Sequence, residues 1–260
     1  MSTLIETHAH LYDEKYKREE WPAIISNCTA KRVTKIYLPN LSLTTITPML
    51  DLAKAYPTIC YPMLGLHPCE VKENFKAVLD KMETWLAQQA FVGIGEVGID
   101  LYWDTRFYKE QVAALEMQTK WALDAGLPLI LHARNSLDEV IKVVEKNQTG
   151  KLRGIFHCFE GSLTQAQKII DLGFYIGIGG RVTYAQGVMA TAKAIDLSHI
   201  VLETDSPYLA PAPFRGKRND PSYLPLVAEQ IAMLKEVNME EVARITTLNA
   251  KSIFAHNRTD

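Results

Sequence analysis

Short apolar runs alternate with longer amphipathic runs along this chain, and that alternation restricts the fold more than any single residue does. Leu4-Ile5, Val33 to Leu38, Ile59 to Leu66, Phe91 to Ile94, Leu127 to Leu131, Gly154 to Phe156, Phe174 to Ile178 and Ile200 to Leu202 read as strands. Between them apolar residues recur at helical spacing, as with Trp21, Ile24, Ile25 and Cys28 in Glu19 to Lys31, or Phe75, Val78, Leu79, Met82 and Leu86 in Phe75 to Gln89. The other predicted helices are Leu43 to Ala55, Phe107 to Ala125, Leu137 to Glu145, Leu163 to Leu172, Val188 to Ile195, Leu224 to Val237 and Met239 to Phe254. Crossovers of this length demand parallel neighbours. Eight such strands, closed on themselves, predict an α/β fold of the TIM (β/α)8 type, in one domain over residues 1–260 with no repeat or linker.

Polar residues stand where the apolar runs stop. In Glu6-Thr7-His8-Ala9-His10 the two-residue period of a strand puts His8 and His10 on one face, and Glu96, His132, His157 and Asp205 close later runs, with His67 near the pattern. In a TIM barrel the C-terminal strand ends surround one mouth, so these residues are expected to share a pocket. Imidazoles and carboxylates without thiolates suit Zn, Mn, Fe or Mg ions, and six ligands suffice for two ions bridged by Glu96. Burying so many ionisable groups without a cation is costly. A lone strand-end histidine is ordinarily structural, and His199 and His256 read as plain surface or helix residues. Glu203 and Glu6 lie on the ligand faces but deeper, as supports of the ligands or as buried structural groups.

The net charge of −2 gives no global field to draw a polyanion, so phosphate must be held locally. Arg215, Lys217 and Arg218 after the eighth strand, with Arg134 and Arg181 after the fifth and seventh, form a candidate phosphate clamp; the alternative for the first three is a solvated basic turn. Tyr102, Trp103, Phe107 and Tyr108 either stack on bases or pack. The scattered cysteines Cys28, Cys60, Cys69 and Cys158 give no disulfide framework and fit a reducing cytoplasm. No leader pattern opens the chain, no apolar run approaches the roughly 20 residues of a membrane span, and no obligate protein partner is evident.

His8-Ala9-His10, Gly65-Leu66-His67-Pro68, Gly95-Glu96-Val97-Gly98-Ile99-Asp100, His132-Ala133-Arg134, His157-Cys158-Phe159, Glu203-Thr204-Asp205-Ser206-Pro207 and Arg215-Gly216-Lys217-Arg218-Asn219 occur in this order. Together they resemble the TatD-type metal-dependent deoxyribonucleases of the amidohydrolase superfamily, over nearly the whole chain. The resemblance implies that His8 and His10 hold one divalent ion with Asp205, that Glu96 bridges, and that His132 and His157 hold the second. It also implies DNA as substrate, single-stranded or through its 3′ end, with phosphodiester hydrolysis in the 3′ to 5′ direction. His67 joins the arginines as a substrate-binding residue, and Asp100 joins Glu6 and Glu203 behind the ligands. The chain departs from the family's usual pattern with Glu6 in place of Asp and Asp220 in place of Glu.

Two cations about 3.5 to 4 Å apart would bring a shared water near neutral pKa, and the resulting hydroxide would be the nucleophile. Asp205 is expected to accept that water's proton, or only to ligate. The same chemistry could instead serve a hydrolase of small amides, esters or lactones, and a non-enzymatic scaffold with structural metals is the further alternative.

Overall fold

The computed structural model describes residues 2–255, and His256 lies outside them. Its strands are β1 (Leu4–Glu6), β2 (Val33–Leu38), β3 (Cys60–Pro62), β4 (Ile94–Asp100), β5 (Leu129–Arg134), β6 (Gly154–Phe156), β7 (Phe174–Ile178) and β8 (Ile200–Leu202). The α-helices are α1 (Trp21–Ala30), α2 (Leu43–Ala55), α3 (Phe75–Gln88), α4 (Tyr108–Ala125), α5 (Leu137–Asn147), α6 (Leu163–Asp171), α7 (Gln186–Ala194), α8 (Leu224–Lys235) and α9 (Met239–Phe254). Parallel ladders run β1-β2-β3 and β4-β5-β6-β7-β8.

Backbone hydrogen bonds beyond the strand ends join the two ladders. Leu64 N–H donates to Gly93 O at 3.1 Å and Gly95 N–H to Leu64 O at 2.9 Å, which links β3 to β4. Thr7 N–H donates to Leu202 O at 3.1 Å, Asp205 N–H to His8 O at 3.0 Å and His10 N–H to Ser206 O at 2.7 Å, which links β8 to β1. The strands thereby close into the expected (β/α)8 barrel. Among the described residues no helix is long and apolar enough to cross a membrane.

The barrel interior changes character along its axis. Ile5, Tyr37, Tyr61, Met63, Ile130, Ile155 and Val201 pack with Ile253 and Phe254 of α9, whose Phe254 ring stacks on Tyr37 at 3.7 Å. That end is apolar and sealed. Two residues further along the same strands stand His132 after Ile130, His157 after Ile155 and Glu203 after Val201, so the pleat carries the wall from hydrocarbon to ionisable groups.

Two strand boundaries differ from expectation in a way that matters for the site. β4 was expected over Phe91 to Ile94 but runs from Ile94 to Asp100 with every residue buried, so Glu96 lies inside the strand. Its glycines and charges hide a strand covered on both faces. Likewise β5 continues through His132 to Arg134. Gly98 permits the close pairing of these strands: at φ +152° a Cβ there would lie 1.9 Å from the His132 carbonyl oxygen. Gly98→Ala is expected to lower the unfolding free energy by about 2 kcal/mol or more, and a wild-type urea midpoint would show the contact to be yielding.

Candidate metal centre

The side chains expected at the strand ends meet at the open mouth. His8 Nε2 and His10 Nε2 are 3.2 Å apart and face Glu96 Oε2 at 3.1 and 3.4 Å. Asp205 Oδ1 closes this group at 3.7 Å from His8 Nε2 and 3.5 Å from His10 Nε2. The other Glu96 oxygen, Oε1, faces His157 Nε2 at 2.7 Å, His132 Nδ1 at 2.8 Å and His67 Nε2 at 3.4 Å. One carboxylate therefore separates two nests of imidazoles. His157 also stacks on His8 with 3.8 Å between ring centroids.

Hydrogen bonds on the far side of each ring decide which nitrogen faces inward bare. Tyr12 OH donates to Pro39 O, so it accepts at 2.9 Å from His10 Nδ1–H and leaves the His10 Nε2 lone pair directed at the centre. Asp100 Oδ2 accepts at 2.9 Å from His132 Nε2–H, leaving His132 Nδ1 bare towards Glu96. Lone pairs opposed to carboxylate oxygens at these distances repel unless a proton or a metal cation lies among them, and four imidazoles with two carboxylates converging here are a donor set that fits divalent metal. His67 is the opposite case. Its Nδ1 accepts the Cys69 backbone N–H at 3.1 Å, so the neutral ring carries its proton on Nε2 and turns a donor, not a lone pair, towards Glu96 Oε1 at 3.4 Å.

The same field acts on protons. Burial pulls His132 down, but its bonds to Asp100 and Glu96 outweigh this and raise it to about 9. Burial opposes ionisation of Glu96, yet the imidazoles of His157, His67 and His8 hold it well below the usual carboxylate range. Behind the ligands, Glu203 lies 3.8 Å from His157 Nδ1 and accepts the Cys158 N–H, and burial pushes it up to about 7. Gly177 leaves it room, since a Cβ there would sit 2.6 Å from Glu203 Oε2.

A family model described as "TatD related DNase" matches residues 5–255. An uncharacterized metal-dependent hydrolase of Bacillus subtilis, YabD, is 36% identical over 98% of this chain and 100% of its own length. The chain belongs to the TatD-related DNase family. The TatD homologue YjjV of Escherichia coli K12 superposes with a TM-score of 0.91 at 28% identity, covering 97% of this chain and 98% of YjjV. A 3′-5′ ssDNA/RNA exonuclease TatD of Edwardsiella piscicida is 29% identical over 90% of this chain and 92% of its own. The protein is thus a TatD-family metal-dependent hydrolase, and its grouped His, Glu and Asp side chains are placed so that they could hold divalent metal.

Against the TatD-type pattern, Glu6 turns out to touch no ligand imidazole. It is buried, and its Oε1 accepts the backbone N–H of His8 at 3.0 Å and of Thr204 at 2.9 Å, stapling β1 to the segment after β8. Asp220 accepts the Ser222 N–H and caps a short turn, a task that suits its shorter side chain. Asn219 donates to Thr204 O at 2.8 Å and Tyr208 O at 2.6 Å, bracing the loop that carries Asp205.

The residues expected to clamp phosphate are divided by the fold. Arg134 and Arg181 line a cavity of about 1080 Å³ above the centre together with His67. Arg215, Lys217 and Arg218 do not: Arg218 is tied to Glu20 at 2.6 Å and to Lys15 O, and Arg215 lies over the Tyr184 ring at 4.5 Å. A basic run read along the sequence carries no information about which acids it will meet. Sequence reasoning missed Tyr12, although its position two residues beyond His10 on the same period was a signal, and Asn40, whose carbonyl accepts the Glu96 N–H at 3.0 Å. Asp100→Asn is expected to weaken metal binding about 10- to 100-fold in a competitive chelator titration; unchanged affinity would mean that Asp100 does not orient His132.

Proposed function

We propose that this chain is a deoxyribonuclease that hydrolyses DNA phosphodiester bonds from a 3′ end, acting on single strands or 3′ termini. The observation carrying the proposal is the two-sided use of Glu96, with Oε2 facing His8 and His10 and Oε1 facing His132 and His157. His8, His10 and Asp205 would hold one divalent cation, His132 and His157 a second, with Glu96 between them. Mg, Mn or Zn all suit this donor set. When bound, such a pair supplies a water of near-neutral pKa and a positive field for the phosphate.

The chain's own groups perform the remaining work. Asp205 takes the proton of the attacking water as its oxygen bonds phosphorus and the bond to the departing sugar oxygen breaks. His67 Nε2–H, lining the cleft, donates to a phosphate oxygen. Arg134 and Arg181 supply positive charge at the rim of a chain whose net charge is −2, although Arg181 shares its charge with Glu160 at 2.7 Å. Hydrolysis of a small amide, ester or lactone would leave this rim without a task. A reducing cytoplasm suits Cys28, Cys60, Cys69 and Cys158, all free thiols.

Labelled single- and double-stranded oligonucleotides provide the test. EDTA is expected to abolish cleavage and Mg or Mn to restore it, while Glu96→Ala and Asp205→Ala lower kcat by about a thousandfold. Folded, metal-loaded Glu96→Ala protein with full activity would remove the bridging assignment, and turnover of small amides without DNA cleavage would replace the nuclease. For His67→Ala, elemental analysis should find the wild-type metal content while kcat falls about a hundredfold. Lost metal would make His67 a ligand instead.

A further inference from the structure

The aromatic turn after β4 stands on the rim of the cleft, and hydrolysis at the centre does not use it. Tyr102 and Trp103 are 53% and 69% exposed, whereas Trp21 and Trp121 are buried. Their rings meet edge to face with 4.9 Å between centroids. The Arg134 guanidinium lies 3.8 Å over the Tyr102 ring and 5.4 Å from that of Trp103, so it contacts rings rather than a carboxylate. All three residues line the cavity above the metal centre. Phe107 does not join them, being only 9% exposed.

Hydrogen bonds tie the backbone of this shelf to the metal centre. Asp100 Oδ1 accepts the backbone N–H of Tyr102 at 2.9 Å and of Trp103 at 3.2 Å, while its Oδ2 holds His132 at 2.9 Å. Leu101 N–H donates to Arg134 O at 2.9 Å, fixing the turn to the end of β5. One carboxylate thus sets both an imidazole of the centre and the aromatic turn. Exposed rings on an anchored backbone, beside a cation, match a flat base followed by a phosphate.

We propose that Trp103, Tyr102 and Arg134 form a stacking subsite for an unpaired nucleobase of the substrate strand, with Arg134 meeting the adjoining phosphate. The proposal rests on the nuclease reading and names what would select single strands: a paired base must be unpaired and unstacked before it can transfer to the shelf, whereas an unpaired one transfers without the cost of breaking a base pair. Every base has a π face, so the subsite tolerates any sequence.

The test is binding of a fluorescein-labelled single-stranded oligonucleotide with phosphorothioate linkages at its 3′ end to the metal-loaded enzyme, followed by anisotropy. Trp103→Ala should weaken binding about tenfold or more at unchanged metal content, and Trp103→Phe should keep most of it. Making the 3′-terminal nucleotides abasic should weaken the wild type equally but add nothing to Trp103→Ala. Wild-type affinity in Trp103→Ala, or no oligonucleotide binding by the wild type, overturns the subsite. Trp103-dependent binding by an enzyme that cleaves no oligonucleotide would overturn the nuclease reading and leave the subsite standing, whereas cleavage with Trp103-independent binding would do the reverse.

Discussion

The seam between β1 and β8 is the constraint on which everything at the mouth depends. Backbone bonds from Thr7 to Leu202, from Asp205 to His8 and from His10 to Ser206 turn two ladders into one ring. Without that closure His8 and His10, near the start of the chain, would not face Asp205, almost two hundred residues later. Glu6 reinforces the join by accepting N–H groups from both sides of it. An ionised carboxylate cross-link in a buried place would be expensive, and burial indeed drives its pKa well above the ordinary carboxylate value. At the seam Glu6 thus acts as a hydrogen-bond acceptor tying two backbones together.

Within the ring, the order of groups along each strand sets the chemistry. An apolar floor packed against α9 closes the bottom of the barrel, and one pleat repeat above it the imidazoles and carboxylates begin. In that low-dielectric setting, unscreened lone pairs and anionic oxygens attract a proton or a metal ion strongly. The hydrogen bonds behind the rings then sort the histidines. Tyr12 and Asp100 leave His10 and His132 with bare nitrogens inward, whereas the Cys69 amide leaves His67 with a proton inward. Proximity alone groups His67 with Glu96 and His132. Its far-side bond separates it from them.

Asp100 connects the centre to its surroundings, because its two oxygens serve His132 and the 102–103 turn at once. The rim is accordingly an extension of the strands rather than a loose loop. Charge there is sparse and local: Arg134 is stacked on rings, Arg181 is shared with Glu160, and Arg218 is bound to Glu20 outside the cavity lining. A protein with no net attraction for polyanions can still present such a rim, since the contacts are short in range and close to the reacting centre.

How much was legible in the chain follows from which interactions are periodic. Alternating runs and strand-end polar residues named the barrel and brought His8, His10, Glu96, His132, His157 and Asp205 to a common mouth, because pleat and helix periods are written locally in the residues. The true length of β4 was hidden by its glycines, whose value lies in contact with the neighbouring strand and not in their own propensity. The fate of Arg215, Lys217 and Arg218, the opposite proton placement on His67 and His132, and the exposure of Trp103 beside a buried Phe107 were decided only in the folded molecule. Each depends on a partner supplied by a distant part of the chain or by the surface the fold leaves uncovered, and a one-dimensional pattern records neither.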